Sequence, residues 1–362
     1  MKKSLVALAI LAVAGVASAQ SSVTLYGVAD ATFQYGSGNG VGASNMTRLG
    51  SGGDSTSRVG FRGTEDLGKG MSASFVLEAG LNLDHGAGQV TNTNNQNAAG
   101  TAGTGLNFNR RSTVSLTSGM GELRLGRDVT PHYWNHVVFD PFGPTSVGST
   151  IAGPSSAGIA YAGLTSFRAS NSIGYFLPGN LGGFYGQGML YRGENAKNGA
   201  ATENDGNGAA IRLGYANGPI NVALATSRAT FAQTVAIGNS SSTNLGGSFN
   251  FGAATAMAVI TRDRLERTVS LTGRGHLVGV QVPMGAGQIR ASYSSYKTDA
   301  AGTPKSNKMA LGYVHNLSKR TALYTAVARV TNSGGASAAL NGAVTAANNN
   351  SSGYDFGLRH SF

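Results

Sequence analysis

The run Ser352-Gly353-Tyr354-Asp355-Phe356-Gly357-Leu358-Arg359-His360-Ser361-Phe362 alternates strictly. Tyr354, Phe356, Leu358, His360 and Phe362 share one parity, while Asp355, Gly357, Arg359 and Ser361 share the other. Successive side chains of a β-strand point to opposite faces, so this segment is a strand with one apolar, aromatic face and one polar face. Alternation alone does not say what the apolar face meets. The rest of the chain does.

Charged residues make up 12% of the chain, about half the ~25% of a soluble domain. Glycine accounts for 55 of 362 residues and is spread along the whole length, at about twice its usual ~7% share. After the first twenty positions no apolar run reaches the roughly 18 residues that a transmembrane helix needs. In hydrocarbon only helices and closed barrels satisfy every backbone group, so low charge without an apolar helix points to a barrel whose apolar face meets lipid. The start of the chain agrees. Lys2 and Lys3 precede an apolar run from Leu5 to Val16 and the small-residue pattern Ala17-Ser18-Ala19, the order of an export signal. That run is shorter than the roughly 20 residues of a spanning helix. Residues 1–19 are therefore expected to be a cleaved signal peptide and 20–362 a single barrel.

The sequence contains no cysteine, which excludes disulfides and thiol chemistry. The net charge is +11, of which Lys2 and Lys3 contribute two. Such an excess suits either a solvated basic surface or a positively lined pore.

Working back from the last strand, alternating segments recur sixteen times between 23–35 and 352–362, an even number as bacterial barrels require. Short connections rich in Asn, Gly and Pro, such as Asp66-Leu67-Gly68-Lys69 and Asn217-Gly218-Pro219, suit tight hairpins. They alternate with long ones over 36–55, 85–105, 130–166, 194–207, 231–241, 263–271, 298–305 and 332–351. Both ends of the barrel then lie on the short-turn side, which is periplasmic in outer-membrane barrels. Parity places Tyr26, Asp30, Arg58, Arg62 and Thr64 inside, where water hides charges that would cost about 2–4 kcal/mol at the lipid midplane.

Specific strings then carry a resemblance. They include Ser22-Val23-Thr24-Leu25-Tyr26-Gly27, Ser57-Arg58-Val59-Gly60-Phe61-Arg62-Gly63-Thr64-Glu65-Asp66-Leu67-Gly68 and Asn109-Arg110-Arg111-Ser112-Thr113-Val114-Ser115-Leu116. Further on come Gly121-Glu122-Leu123-Arg124-Leu125-Gly126-Arg127-Asp128, Leu311-Gly312-Tyr313-Val314-His315-Asn316-Leu317-Ser318-Lys319-Arg320-Thr321 and the terminal Gly357-Leu358-Arg359-His360-Ser361-Phe362. The chain resembles the general porins of β-proteobacteria, the trimeric 16-stranded barrels that include the anion-selective kind. The resemblance implies an all-β, 16-stranded antiparallel transmembrane β-barrel and a homotrimer. It also implies a third loop, here 130–166, folded into the lumen. By the same resemblance Phe362 is the terminal aromatic that the outer-membrane assembly machinery recognises.

A diffusion pore does no covalent chemistry; its mechanism is the shape and field of its narrowest point. The candidates for that field are Arg58, Arg110, Arg111 and Arg168, since guanidinium stays charged and offers several donors to carboxylate or phosphate. The resemblance places basic residues at Arg58, Arg110 and Arg168. Strict alternation with Val114 and Leu116 instead turns Arg111 inward and Arg110 outward, and a bulge or strand end before Ser112 would bring both in. Asp140 is the candidate opposing acid, with a turn role before Pro141 as the alternative. Glu78 and Asp30 are expected to line the lumen lower down. His132 and His136 have helical metal spacing but no third ligand nearby, so no metal and no cofactor is expected.

The expected function is passive diffusion of small hydrophilic solutes, anions preferred, across the outer membrane, with membrane lipid and the permeating solutes as partners and no nucleic acid. An outer-membrane barrel enzyme would need a nucleophile or acid–base pair with histidine at the rim, and the six histidines show no such local signature. A surface adhesin would use the long Asn/Gly/Ser loops, which equally keep a barrel's outer end hydrated. Deleting Phe362 is expected to slow assembly. An unchanged yield of folded barrel in membranes would remove that role.

Overall fold

The computed structural model describes residues 22–96, 105–151 and 167–362; the expected signal peptide lies outside them. Sixteen barrel strands follow one another around a closed antiparallel sheet: β1 (Ser22–Ser37), β2 (Arg58–Gly68), β3 (Met71–Asn82), β4 (Arg111–Ser118), β5 (Gly121–Val129), β6 (Arg168–Phe176), β7 (Phe184–Tyr191) and β8 (Gly208–Asn217). The second half comprises β9 (Ile220–Ala229), β10 (Asn239–Asn250), β11 (Thr255–Glu266), β12 (Leu271–Met284), β13 (Gly287–Thr298), β14 (Lys305–Asn316), β15 (Thr321–Ser333) and β16 (Ser351–Ser361). β1 closes the ring, pairing with β2 from Ser22↔Thr64 to Val28↔Arg58 on one edge and with β16 from Val28↔Ser361 to Ser37↔Ser352 on the other. The turn from β2 to β3 is Lys69-Gly70, with φ of 53° and 76°. That left-handed pair matches the twist of adjoining strands in a two-residue hairpin.

Burial is inverted relative to a soluble protein. Leu116, Ile260, Val327 and Phe356 are exposed on the outside, 48–58% accessible, while Asp30, Asp263 and Asp355 are fully buried inside. The parity read from the last strand holds: Tyr354, Phe356, Leu358, His360 and Phe362 are exposed and Asp355 and Gly357 are buried. Phe362 extends the seam past β16 by exchanging backbone bonds with Gly27, N to O at 3.1 Å and O from N at 3.0 Å. A Cβ at Gly27 would lie 2.3 Å from the Phe362 ring, so only glycine lets that ring cross β1.

The first long connection differs from the expected loop 36–55. Met46–Ser51 is a strand that pairs with the upper half of β1 (Phe33↔Leu49). Residues 52–57 then leave the wall before β2 resumes it. The second stave is thus one strand interrupted by an inward excursion. Gly52-Gly53-Asp54-Ser55 reads as loop in the sequence because nothing in it alternates, while Thr56 and Ser57, expected to open the strand, belong to the excursion. Within 85–105, Ala87–Gly88 forms a short pairing with Leu81 and Asn82.

The third loop enters the lumen, as the resemblance implies, and begins with a helix, α1 (Pro131–Val138), in a stretch whose sequence pattern predicts only loop. Its described part is fastened to the inner wall on a track of glycines. Side chains at Gly246 of β10, Gly279 of β12 and Gly312 of β14 would collide with Phe139, Pro141 and Phe142, with Cβ contacts of 2.2, 2.5 and 2.8 Å. Phe139 packs on Ala223, Val259 and Leu277, and Phe142 and Val147 pack with Tyr296, Val330 and Leu340. Each buried phenylalanine contributes roughly 1.5–3 kcal/mol. Polar staples complete the attachment. Lys308 Nζ donates to Val147 O (2.9 Å), Asp355 accepts from Val147 N (2.8 Å), Ser294 Oγ accepts from Ile151 N (3.0 Å), and Gln281 donates to Pro141 O (2.8 Å).

α1 docks through Asn135, whose amide donates to Ala223 O and Asn244 Oδ1 and whose oxygen accepts from Arg212 Nε (2.5 Å). His132 and His136 are buried beside it. Burial pushes His132 down to about 3, helped by the neighbouring His136, and His136 down to about 4, from 6.5. Both are therefore neutral when docked.

Two outcomes are expected. Gly279→Leu pushes the third loop into the lumen, lowering single-channel conductance and costing about 1–3 kcal/mol of stability by overpacking. Gly188→Ala, where a Cβ meets nothing within 4 Å, leaves conductance unchanged. Secondly, the docked histidines bind protons less well than in the unfolded chain, so their contribution is complete above pH 6.5 and is lost as pH falls through about 4 and about 3. Thermal melts of the full barrel across that window measure the slope. Replacing both with Gln should flatten it, and an unchanged slope refutes the assignment.

Candidate functional site

A chamber of about 640 Å³ lies inside the barrel where β2–β6, the 52–57 excursion and α1 face one another. Its wall carries Arg58, Arg110, Arg111, Arg124 and Arg168 together with Glu78, Asp128 and Asp54, and Trp134 of α1 lines it too. Four of the five residues expected at the constriction are thus brought together.

Arg58 is the first residue of β2, where the strand re-enters the wall. Its Nη1 donates to Thr56 O (2.8 Å) and Ser55 Oγ (3.2 Å), so the excursion aims this guanidinium. The excursion is itself held by Asp30. That carboxylate accepts from the backbone N–H groups of Gly53 (3.2 Å), Asp54 (3.0 Å) and Ser55 (2.6 Å), and the Tyr324 hydroxyl donates to it as well. Asp54, at the tip, is bridged by Arg290 of β13 (2.7 Å) and Arg359 of β16 (2.5 Å).

Arg110 and Arg111 both reach the chamber. β4 begins at Arg111, so Arg110 lies before the strand and is free of its parity, which settles the conflict in the alternation. Arg110 Nε donates to Glu78 Oε1 at 2.7 Å, and its backbone N–H bonds Glu78 O. Arg111 sits 3.6 Å from Asp128. Arg168 opens β6 and donates to Arg110 O at 3.0 Å. It has no carboxylate within ion-pair distance among the described residues. Arg124 stacks its guanidinium 4.0 Å over Phe176 and is held by Glu122 and Asp128.

The acids differ from expectation. Asp140 does not face the chamber. Its carboxylate is buried, accepting from Phe142 N (2.9 Å) and Thr150 N (2.6 Å), and burial raises its pKa against those two bonds and the nearby charges of Lys308 and Arg290. It is the turn residue that the Pro141 context allowed. Glu78 is not lower down but stands between Arg110 and Arg58 (3.5 Å), taking a further bond from the Tyr26 hydroxyl (3.1 Å). Asp30 supports the excursion. The sequence reading also missed Asp54, Arg124 and Asp128. For Arg124 and Asp128 a signal was present, because exposed Leu123 and Leu125 fix the inward parity of their neighbours. Asp54 had none, since the excursion obeys no strand period.

The chamber lining holds five guanidiniums against three carboxylates, and Asp54 is further offset by Arg290 and Arg359. In water-filled space such a set attracts small anions and offers several donors to each.

A family model for Gram-negative porins matches residues 4–335. Outer membrane porin protein 32 of Delftia acidovorans is 36% identical over 371 aligned residues, covering 100% of both chains. An outer membrane porin protein of Bordetella pertussis is 30% identical over 378, covering 90% of this chain and 93% of its own. Among solved structures, an anion-selective porin from Comamonas acidovorans superposes with a TM-score of 0.82 at 32% identity, covering 95% of this chain and all of the other. Sequence, closed sixteen-strand sheet and wall chemistry agree: the chain belongs to the Gram-negative porin family and is a porin of the outer membrane.

Proposed function

We propose that this porin is a passive, anion-preferring channel in which Arg58, Arg110, Arg111 and Arg168 set the selectivity. The observation that carries this is the excess of guanidinium over carboxylate in the chamber lining, with Arg168 left outside any ion pair among the described residues. The anion-selective relative from Comamonas supports the same reading. Glu78 neutralises part of the Arg58–Arg110 pair and so sets how strong the preference is. Permeation needs no catalytic group, and we read the chain as a channel and not an enzyme. We further propose that it works as a homotrimer and that Phe362 addresses it to the outer-membrane assembly machinery, both following from the family resemblance.

Planar-bilayer recordings test this. Conductance should rise in threes, and the reversal potential in a salt gradient should report an anion preference that falls as salt rises, because screening shortens the field. Arg58→Glu or Arg168→Glu should move the reversal potential toward cations; if neither does, selection lies elsewhere. Glu78→Gln should strengthen the anion preference by about fivefold at low salt, from the ~1 kcal/mol of one charge at 4 Å in water. A weaker preference would contradict the role given to Glu78.

A further inference from the structure

Near the long-loop end, the outward face of the barrel carries a row of cations on four successive strands. Arg262 of β11 lies opposite Arg274 of β12, Arg274 opposite Lys297 of β13, and Lys297 opposite Lys305 of β14. Their direction follows from parity: Arg262 shares its face with exposed Ile260, Arg274 with Val278 and Lys305 with Met309. Beside the row, Arg264 of β11 itself and Arg228 of β9, two strands further round, share the single carboxylate of Glu266, at 3.8 and 3.7 Å. The four cations of the row have no carboxylate within ion-pair distance among the described residues.

Like charges directly opposed on one face of an antiparallel pair repel, so strand pairing does not favour this row. Its height does have a rationale. Just toward the barrel's middle the rings of His276 and Tyr293 pair at 5.9 Å, and the Tyr293 hydroxyl donates to Asn307. Next come Ile260, Val278 and Met309, bare and apolar. Cations above aromatics above aliphatics is the order of headgroup, interface and hydrocarbon.

We propose that Arg262, Arg274, Lys297 and Lys305 bind the phosphate groups of anionic lipid headgroups in the leaflet at the long-loop end, as a fixed lipid site on the barrel's outer wall. Guanidinium and ammonium together give such phosphates many donors. Strands lie about 4.8 Å apart, so the row spans about 15 Å, enough to meet two phosphates of one headgroup. The site rests on the membrane placement of the barrel and is independent of the lumen's selectivity.

The probes are diphosphoryl lipid A and the same lipid freed of its phosphates, added to the purified full-length protein in detergent, with bound lipid counted by native mass spectrometry. The diphosphoryl form should be retained at least about tenfold more strongly, less so as salt rises, and an equal concentration of inorganic phosphate should not displace it. Equal retention of the two lipids by the unmodified protein overturns the proposal without any variant. Displacement by inorganic phosphate also overturns it, leaving a patch for free anions. The combined Arg262→Ser, Arg274→Ser, Lys297→Ser and Lys305→Ser variant should lose the preference while keeping single-channel conductance and reversal potential. Undiminished retention by that variant would place the lipid elsewhere.

Discussion

Every peptide group that crosses hydrocarbon must find its hydrogen-bond partner within the protein, and a sheet meets that demand only by closing on itself. In this barrel the closure falls between β1 and β16, extended beyond the last strand by the exchange between Phe362 and Gly27. Once the ring is shut, the two faces of each strand are committed, one to lipid and one to water. The burial of Asp30, Asp263 and Asp355 beside the exposure of Leu116 and Val327 follows from that commitment.

A closed ring of sixteen strands leaves a wide aqueous lumen, and chain that leaves the wall narrows it. The third loop does this from one side, lying over Gly246, Gly279 and Gly312, where the missing side chains leave room for Phe139, Pro141 and Phe142. The 52–57 excursion does it from another, hung on Asp30. Chamber charge is then a matter of pairing. Glu78 and Asp128 hold arginines in place and subtract from their field, while Arg168 is braced by the Arg110 carbonyl and, among the described residues, meets no carboxylate within ion-pair distance.

The fold was legible in the sequence because alternation is a direct record of the two solvents, and it survived even in short segments such as Tyr354 to Phe362. Alternation made Arg58 legible for the same reason, whereas Arg168 was legible from its place after the third loop and from the resemblance. The Arg110–Arg111 choice turned on where one strand starts, and Arg124 went unread although Leu123 and Leu125 fix its parity. What stayed hidden was whatever depends on chain outside the sheet. Asp140 looks like an acid facing the pore until its two backbone donors are seen, and Glu78 looks remote until β3 is set beside the chain leading into β4. Neither the strand Met46–Ser51 nor helix α1 carries a period long enough to stand out from its Gly-rich surroundings.

Asp54 links the start of the second stave to β13 and β16 by two ion pairs. It therefore works as a chord across an arc of six staves. A cylinder of strands bends easily out of round, and lateral pressure in a membrane pushes it that way; flattening this arc would stretch both ion pairs at once. The outline of the passage on that side is thus kept by a tie rod of charge and not by wall stiffness alone.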